Sequence, residues 1–394
     1  MHFSWKISKN QLIFGLLYSI FIFSEQVADD GSVLARLSNT VDSLKIKYMM
    51  AVLAIGILLL RYIRNPGRFV RFRDEAKNVL LTTVILSTIT VIKQMQNGFM
   101  GASYNEVFFW LVPIIYVYFL VNCINDIKPY MDTAFIIQLI FFFIDIMDKL
   151  SIKNILAINF ITSNSAFESE YSFYGLVFFM FYLFMKDKRR AVLSLFMTIL
   201  AFKRMAVMFA LVVLIMSVLQ TKRGTFNKTP SPRGVFIVTV LFIIVPIGFH
   251  LICSDSFGSW FYSVTGLNFN AFISGRLERL NLCIDNEMRY GLGSSTQFLN
   301  EVLGRGFSRN LHNDVLRIYL ECGIIGTIAF TYDYFKMASK SRMSFMLMLY
   351  LFTDMMFNHF LGAGRTAFWI IIYLAICSFN EASRASSWLL EEYK

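Results

Sequence analysis

The stretch ISGRLERLNLCIDNEMRYGLGSSTQFLNEVLGRGFSRNLHNDVLRIYLECGIIG, residues 273–326, is the part of the chain that cannot be read as membrane filler. It carries Arg276, Arg279, Arg289, Arg305, Arg309 and Arg317, a single His312, and an amphipathic run toward Gly323 and Gly326. Outward from it, in both directions, the chain becomes a succession of apolar segments separated by short polar loops. That pattern predicts a helical bundle in a bilayer, where each helix satisfies its own backbone polar groups. The expected fold is an all-α polytopic membrane protein, one integral membrane domain over 1–394 with a large extracytoplasmic loop at 253–313.

Composition agrees. Of 394 residues, 56% are hydrophobic and only 16% charged, and the mean hydropathy is +0.57, outside the soluble range. Lys6 and Lys9 precede the apolar run Leu12 to Phe23 without a small-residue cleavage site after it, so this run is expected to be the first span and not a removable signal. The net charge of +11 invites a nucleic-acid reading, but no basic stripe sits on a soluble module, and loop cations of membrane proteins set orientation. No nucleic-acid partner is expected. The five cysteines lack CxxC or Cys/His spacing, which argues against a metal or redox motif. Cys253 and Cys283 both fall in the large loop, where a disulfide between them is one alternative and two thiols the other.

Apolar stretches predict twelve spans near 11–24, 47–62, 78–93, 107–123, 133–147, 172–185, 191–202, 205–219, 235–252, 318–335, 343–357 and 366–379. With the N-terminus inside, 22 of the 37 lysines and arginines fall in inner segments. The largest inner group is Arg61, Arg64, Arg68, Arg71, Arg73 and Lys77. Lys6, Lys222, Arg223 and Lys394 also count inside. Six of the outer cations belong to the opening stretch; without it the split is 22 to 9, which predicts both termini in the cytoplasm. Glu25 and Glu170 then fall in outer loops. In the segment KTPSPRG, Pro230, Pro232 and Gly234 are expected to stop the helix between two spans. Glu381 to Lys394 reads as a surface helix.

Absent motifs exclude several chemistries. There is no GxxxxGK[ST], no HExxH, no GxSxG and no DxD in a soluble domain, so neither a nucleotide-driven pump nor a zinc protease nor a metal-dependent sugar-nucleotide transferase is expected. Of four histidines, His2 is terminal, His250 ends an apolar span and His359 sits at an outer turn in NHFLGAGR; His312 stands out. Asn313 beside it is a natural N-cap, and Asp314, Arg317 and Glu321 follow on one helical face. A helix start with free N–H groups and a positive dipole end suits a phosphate. The alternative is an ordinary interfacial helix with a water-facing histidine. Gly323 and Gly326 allow close helix packing or a break.

Arginines weigh in the same direction. Arg276 and Arg279, three apart in SGRLERL, would point the same way on a helix and present planar donors that match phosphate oxygens. Lys203 and Arg204 in AFKRMAVM have hardly any loop to hold them. The preceding span, Ala191 to Phe202, covers only about 18 Å at 1.5 Å per residue, so the pair is expected below the headgroups, where charge is costly and by default functional.

These motifs, AFESEYSFYG, AFKRMAV, SGR, YGLG and LHNDVLRIYLECGIIG, occur in this order over the second half of the chain, and together they resemble the O-antigen polymerase and O-antigen ligase superfamily of bacterial surface-polysaccharide assembly, the polymerase branch in particular. Two positions depart from the family pattern. Tyr171 stands where proline is usual, which puts the rigid turn beside Glu170 in doubt, and Lys203 stands where serine is common. The resemblance implies a metal-independent glycosyltransferase of the type C architecture, needing no cofactor, in the bacterial cytoplasmic membrane. Its partners would be an undecaprenyl-diphosphate-linked oligosaccharide, membrane lipid and a chain-length regulator protein. By residue match, Arg204 and Arg276 would contact the diphosphate, with Lys203 and Arg279 beside them, and His312 would assist the acceptor. Glu170 is the second candidate base, or orients an arginine or sugar, or is a solvated carboxylate. Asn313, Arg317 and Arg289 are expected in support.

The chemistry implied is economical. A sugar on a polyprenyl diphosphate already carries a good leaving group, so what is needed is fixed positive charge for the departing diphosphate and a base for the acceptor hydroxyl. Cations near His312 would hold it neutral and available. A ligase handing finished glycan to a lipid or protein acceptor is the neighbouring alternative. A lipid-linked oligosaccharide flippase, which would place ionisable groups near the bilayer midplane, is the alternative from another class, and a scaffold the blandest.

Overall fold

The computed structural model describes residues 8–27, 43–157, 165–220, 228–273, 276–303, 311–361 and 365–392. Among them the regular structure is entirely helical. All twelve apolar segments are helices: Lys9–Val27, Ser43–Arg64, Arg73–Asn97, Ala102–Cys123, Lys128–Ile146, Tyr171–Phe184, Lys188–Leu200, Arg204–Gln220, Pro232–Ile252, Asp314–Ala338, Arg342–Met355 and Thr366–Glu392. Six contain a stretch long and apolar enough to cross a membrane: Arg73–Asn97, Ser103–Cys123, Lys128–Ile146, Pro232–Phe249, Asp314–Ala338 and Thr366–Ala385. Tyr171–Phe184 and Arg204–Leu219 are apolar but shorter, because charged residues bound them closely at both ends or one.

Two details depart from the sequence reading. Pro232 and Gly234 do not end a helix; they lie in the first turn of Pro232–Ile252, where proline's fixed φ is pre-organised and its missing N–H costs nothing. Ser231 caps that turn by accepting from the Gly234 N–H at 3.1 Å. Glu25 is no loop residue. It lies within Lys9–Val27, buried, and accepts from the Ala367 N–H at 2.8 Å and from the Tyr174 hydroxyl. Ser274, Gly275, Arg305, Arg309, Lys6, Lys222, Arg223, Lys394 and His2 lie outside the described residues.

The chain divides into two compact units. The first comprises 1–73, 112–226 and 364–385. Within it, Tyr171–Phe184 is buried almost throughout and crosses Lys188–Leu200 at Gly175. A Cβ at Gly175 would lie 2.9 Å from the Thr198 nitrogen, so only glycine permits this approach. Ser172 seals the crossing by donating its hydroxyl to the Thr198 carbonyl at 2.8 Å. The second unit comprises 74–111, 227–363 and 386–394. Its apolar centre is an aromatic stack, with Phe352 lying 5.0 Å from Phe330 and 4.7 Å from Phe335 between ring centroids.

The expected outer loop of 253–313 is a series of short helices, Asp255–Thr265, Phe269–Phe272, Leu277–Ile284 and Ser294–Leu303. The last three meet in one cluster, through Phe269, Leu280 and Leu299, with Phe249, Leu311 and Leu316, while Asp255–Thr265 is applied to them by Phe257 and Phe261 packing on Phe269. Cys253 and Cys283 belong to that cluster as free thiols, unpaired with each other. Burial pushes them up to about 11 and about 12, so both stay protonated and behave as small apolar groups.

Candidate functional site

In the second unit the quoted stretch builds a charged nucleus around the start of Asp314–Ala338. Asn313 is the N-cap, with φ −156° and ψ 90°, and its side chain accepts from the Leu316 N–H at 2.9 Å. The spacing of Asp314, Arg317 and Glu321 puts all three on one face, as expected, and that face is buried. Arg317 is fully enclosed. Its guanidinium donates to Glu106 at 2.8 Å, to Glu321 at 3.3 Å and to the Leu361 carbonyl, and lies 3.6 Å from Asp314. Such an ion must have every donor answered, because a charge with no water near it is tolerated only when paired.

The carboxylates are answered in turn. Glu321 accepts from the Gly293 N–H at 2.9 Å, the Ser295 N–H at 3.0 Å and the Ser295 hydroxyl at 2.6 Å. The turn Tyr290-Gly291-Leu292-Gly293 that presents these donors needs left-handed backbone at both glycines, φ 82° and 83°. Gly291 also sits against Thr90, whose Cα would be 2.6 Å from an added Cβ. Asp314 accepts from the Phe360 N–H, from the Leu361 N–H at 2.8 Å and from His359 Nδ1 at 3.0 Å. The Asp314 carboxylate thereby fixes the orientation of the His359 ring through Nδ1.

His312 stands directly before this cap. Its φ of 50° is in the left-handed region, which histidine visits more readily than most non-glycine residues, and it turns the chain into the cap. Burial lowers its pKa first, then the Arg276 guanidinium, His359 and Arg279, to about 3. Burial thus does more to disfavour the charged imidazole than the neighbouring cations do. Arg276 and Arg279 are half-buried at the start of Leu277–Ile284, and Arg276 donates to the Phe357 carbonyl. Arg276, Arg279, His312 and Asn313 thus form one group, with Arg317 beneath it as an internal ion. Arg289 is not part of it: exposed, it pairs with Glu287 at 3.4 Å.

Gly323 and Gly326 realise both expectations. Backbone at Gly323, φ 69° and ψ −171°, interrupts the helix, while Gly326 packs closely enough on Arg73–Asn97 that a Cβ would meet Leu86 at 2.9 Å. The interruption leaves carbonyls without helical donors, and Lys93 Nζ takes the one of Glu321 at 2.9 Å together with that of Met288.

The first unit holds the other expected residues. Glu170 forms an ion pair with Arg365, and Lys203 one with Glu168 at 2.7 Å. Lys188–Leu200 ends at Leu200 and Arg204 opens the next helix, so the turn is as short as expected; Phe202 turns it with φ 50°. The turn is pinned by the Ser169 N–H to the Ala201 carbonyl at 2.9 Å and the Lys203 N–H to the Ser172 hydroxyl at 3.2 Å. Glu170, Lys203 and Arg204 are therefore gathered on one local frame of this unit. Arg276, Arg279 and His312 belong to the other.

Sequence reasoning missed Glu106, Lys93, His359 and Arg365. For His359 the one local signal is its place beside Asn358 in a short turn that ends in Arg365. The others carried no local motif. No family model matches the chain, and no curated protein is similar enough to count as a relative.

Proposed function

We propose that this chain is a membrane glycosyltransferase that polymerises a bacterial surface polysaccharide, moving a growing glycan from undecaprenyl diphosphate to a hydroxyl of the next lipid-linked repeat unit. The observation that carries this reading is the grouping itself: His312 stands directly before a helix start capped by Asn313 and within electrostatic reach of Arg276 and Arg279. A neutral imidazole beside two guanidiniums is a base next to an anion clamp.

In the proposed reaction the acceptor oxygen attacks the anomeric carbon and the bond from that carbon to the diphosphate oxygen breaks. The hydroxyl proton passes to His312, and the charge gained by the diphosphate is taken up by Arg276 and Arg279. Asp314 and Arg317 act as positioning residues under the cap, and the Asp314-oriented His359 is a second imidazole whose removal separates the two bases. Lys203 and Arg204, with Glu170 beside them, are proposed as a further anion-binding group. The finer topology belongs to the same proposal: twelve crossings in the type C arrangement, both termini cytoplasmic and 253–313 outside, supported by the twelve helices and the 22-to-9 charge split.

Cells carrying Arg276→Lys or His312→Ala should insert the protein normally and yet display single repeat units in place of long chains. Normal chain length with both variants overturns the site. Long glycan that is made but stays on its lipid carrier when the protein is lost would mark a ligase instead. Elongation of a defined undecaprenyl-diphosphate repeat unit by purified protein in detergent, with no second compartment, excludes transport as the primary activity.

A further inference from the structure

The largest cationic group of the sequence outside the candidate site is Arg61 to Lys77, and its simplest explanation is orientation of the chain. The first unit gives part of it a shape. A cavity of about 900 Å³ is lined by Arg61, Arg64, Asn65, Arg71, Asn122 and Glu381, among others. Its one carboxylate is already consumed. Arg71 holds Glu381 through Nε at 2.7 Å and Nη2 at 2.8 Å, and spends Nη1 on the carbonyls of Val121 and Ile124 at 2.7 and 2.6 Å. Arg71 is thus a fixed wall, with its charge neutralised.

Arg61 and Arg64 differ. Both are exposed, three residues apart in the last turn of Ser43–Arg64. Arg61 donates to Asn10 at 3.1 Å, a neutral partner, and Arg64 makes no hydrogen bond or ion pair among the described residues. The cavity therefore carries two guanidiniums that no carboxylate among the described residues neutralises, with amide side chains around them, a donor set for phosphate oxygens.

A second feature selects the ligand. A shallow apolar groove of about 30 Å³, lined by Ile13, Ala54, Ile57, Leu58 and Leu120, shares Arg61 and Cys123 with the cavity and continues outward as the exposed side chains of Ile13 and Ile57, so a chain would lie along it and not inside it. A free anion has no use for such a groove, whereas a phospholipid needs both parts, one for its headgroup and one for an acyl chain. Basic pockets between membrane helices bind anionic headgroups on these grounds. We infer that this unit holds an anionic phospholipid, its phosphodiester between Arg61 and Arg64 and one acyl chain along the Ile57–Leu58 groove. Neither the glycan nor the residues around His312 enter this inference.

Native mass spectrometry of the full-length chain, delipidated and then offered dioleoylphosphatidylglycerol, dioleoylphosphatidylcholine or inorganic phosphate, tests it. The expected result is a one-to-one phosphatidylglycerol adduct, exceeding the phosphatidylcholine adduct about tenfold, which corresponds to about 1.4 kcal/mol of discrimination. Arg61→Gln/Arg64→Gln should abolish that preference. Ile57→Trp, which fills the groove and leaves both arginines, should weaken the adduct without changing the headgroup ranking, and excess inorganic phosphate should not displace it. Equal adducts of the two lipids, or an unchanged preference in the double variant, overturns the inference. So does displacement by phosphate with Ile57→Trp silent, which would mean a site for free anions.

Discussion

Arg317→Met should destabilise the second unit by about 3–5 kcal/mol, the usual cost of removing one partner from a buried ion pair. The figure follows from what each carboxylate keeps. Asp314 retains two backbone N–H donors and His359, and Glu321 retains three donors from Gly293 and Ser295. Glu106 retains none among the described residues, since its partner there is Arg317. The penalty is thus expected to sit mainly on Glu106, and Arg317→Met/Glu106→Gln should recover most of it, with a coupling of about 2 kcal/mol or more in a double-mutant cycle. Unfolding in bicelles by titrated detergent, followed by tryptophan fluorescence, provides the free energies; the single variant should lose about two to three and a half powers of ten in folding equilibrium. A single-variant loss below about 1 kcal/mol, or a double variant equal to the sum of the singles, refutes the assignment of Arg317 as an internal ion that Glu106 depends on.

Gly291→Ala should cost about 2–4 kcal/mol, from left-handed backbone and the Thr90 contact together, whereas Gly266→Ala, equally left-handed at φ 69° but in open space, should cost about 1–2; equal melting shifts would contradict the crowding. The pH dependence has a definite sign. His312 falls from 6.5 unfolded to about 3 folded, so the unfolded chain binds the extra proton between these values and stability should decline as pH falls from about 6.5 toward 3. His312→Gln should flatten that decline, and an NMR titration of His312 near 6.5 would disprove the depressed value. Glu170→Gln and Arg365→Gln should each loosen the turn at Phe202, read as faster limited proteolysis between 165 and 204, and the double substitution should be no worse than either single one.

Much of this was legible before any coordinates, for physical reasons that differ by residue. Apolar runs specify helices because a backbone in an apolar setting must bond to itself, and all twelve runs are helical. Asn313 and the Asp314–Arg317–Glu321 face were legible because capping and helical spacing are local. The partners were not. Arg317 meets Glu106 across 211 residues, and Glu170 meets Arg365 across 195, separations at which periodicity carries no information. Glu25 was read as a loop residue because a carboxylate at the end of an apolar run looks like its boundary; Tyr174 and the Ala367 N–H instead bring it inside.

The interruption at Gly323 bears on the lipid as well as on the ions. Beyond it, residues 324–338 rise only about 22 Å, less than the hydrocarbon thickness of about 30 Å, and their exposed side chains are Ile324, Ile325, Ile328 and Tyr332, followed by Lys336. The ion-bearing turns 314–322 must make up the difference, so the helix has an oily length shorter than its drawn length. A bilayer of short acyl chains would match it, and a thick one would have to pinch around it, which makes membrane thickness a dial on how deep Arg317 and its carboxylates are held.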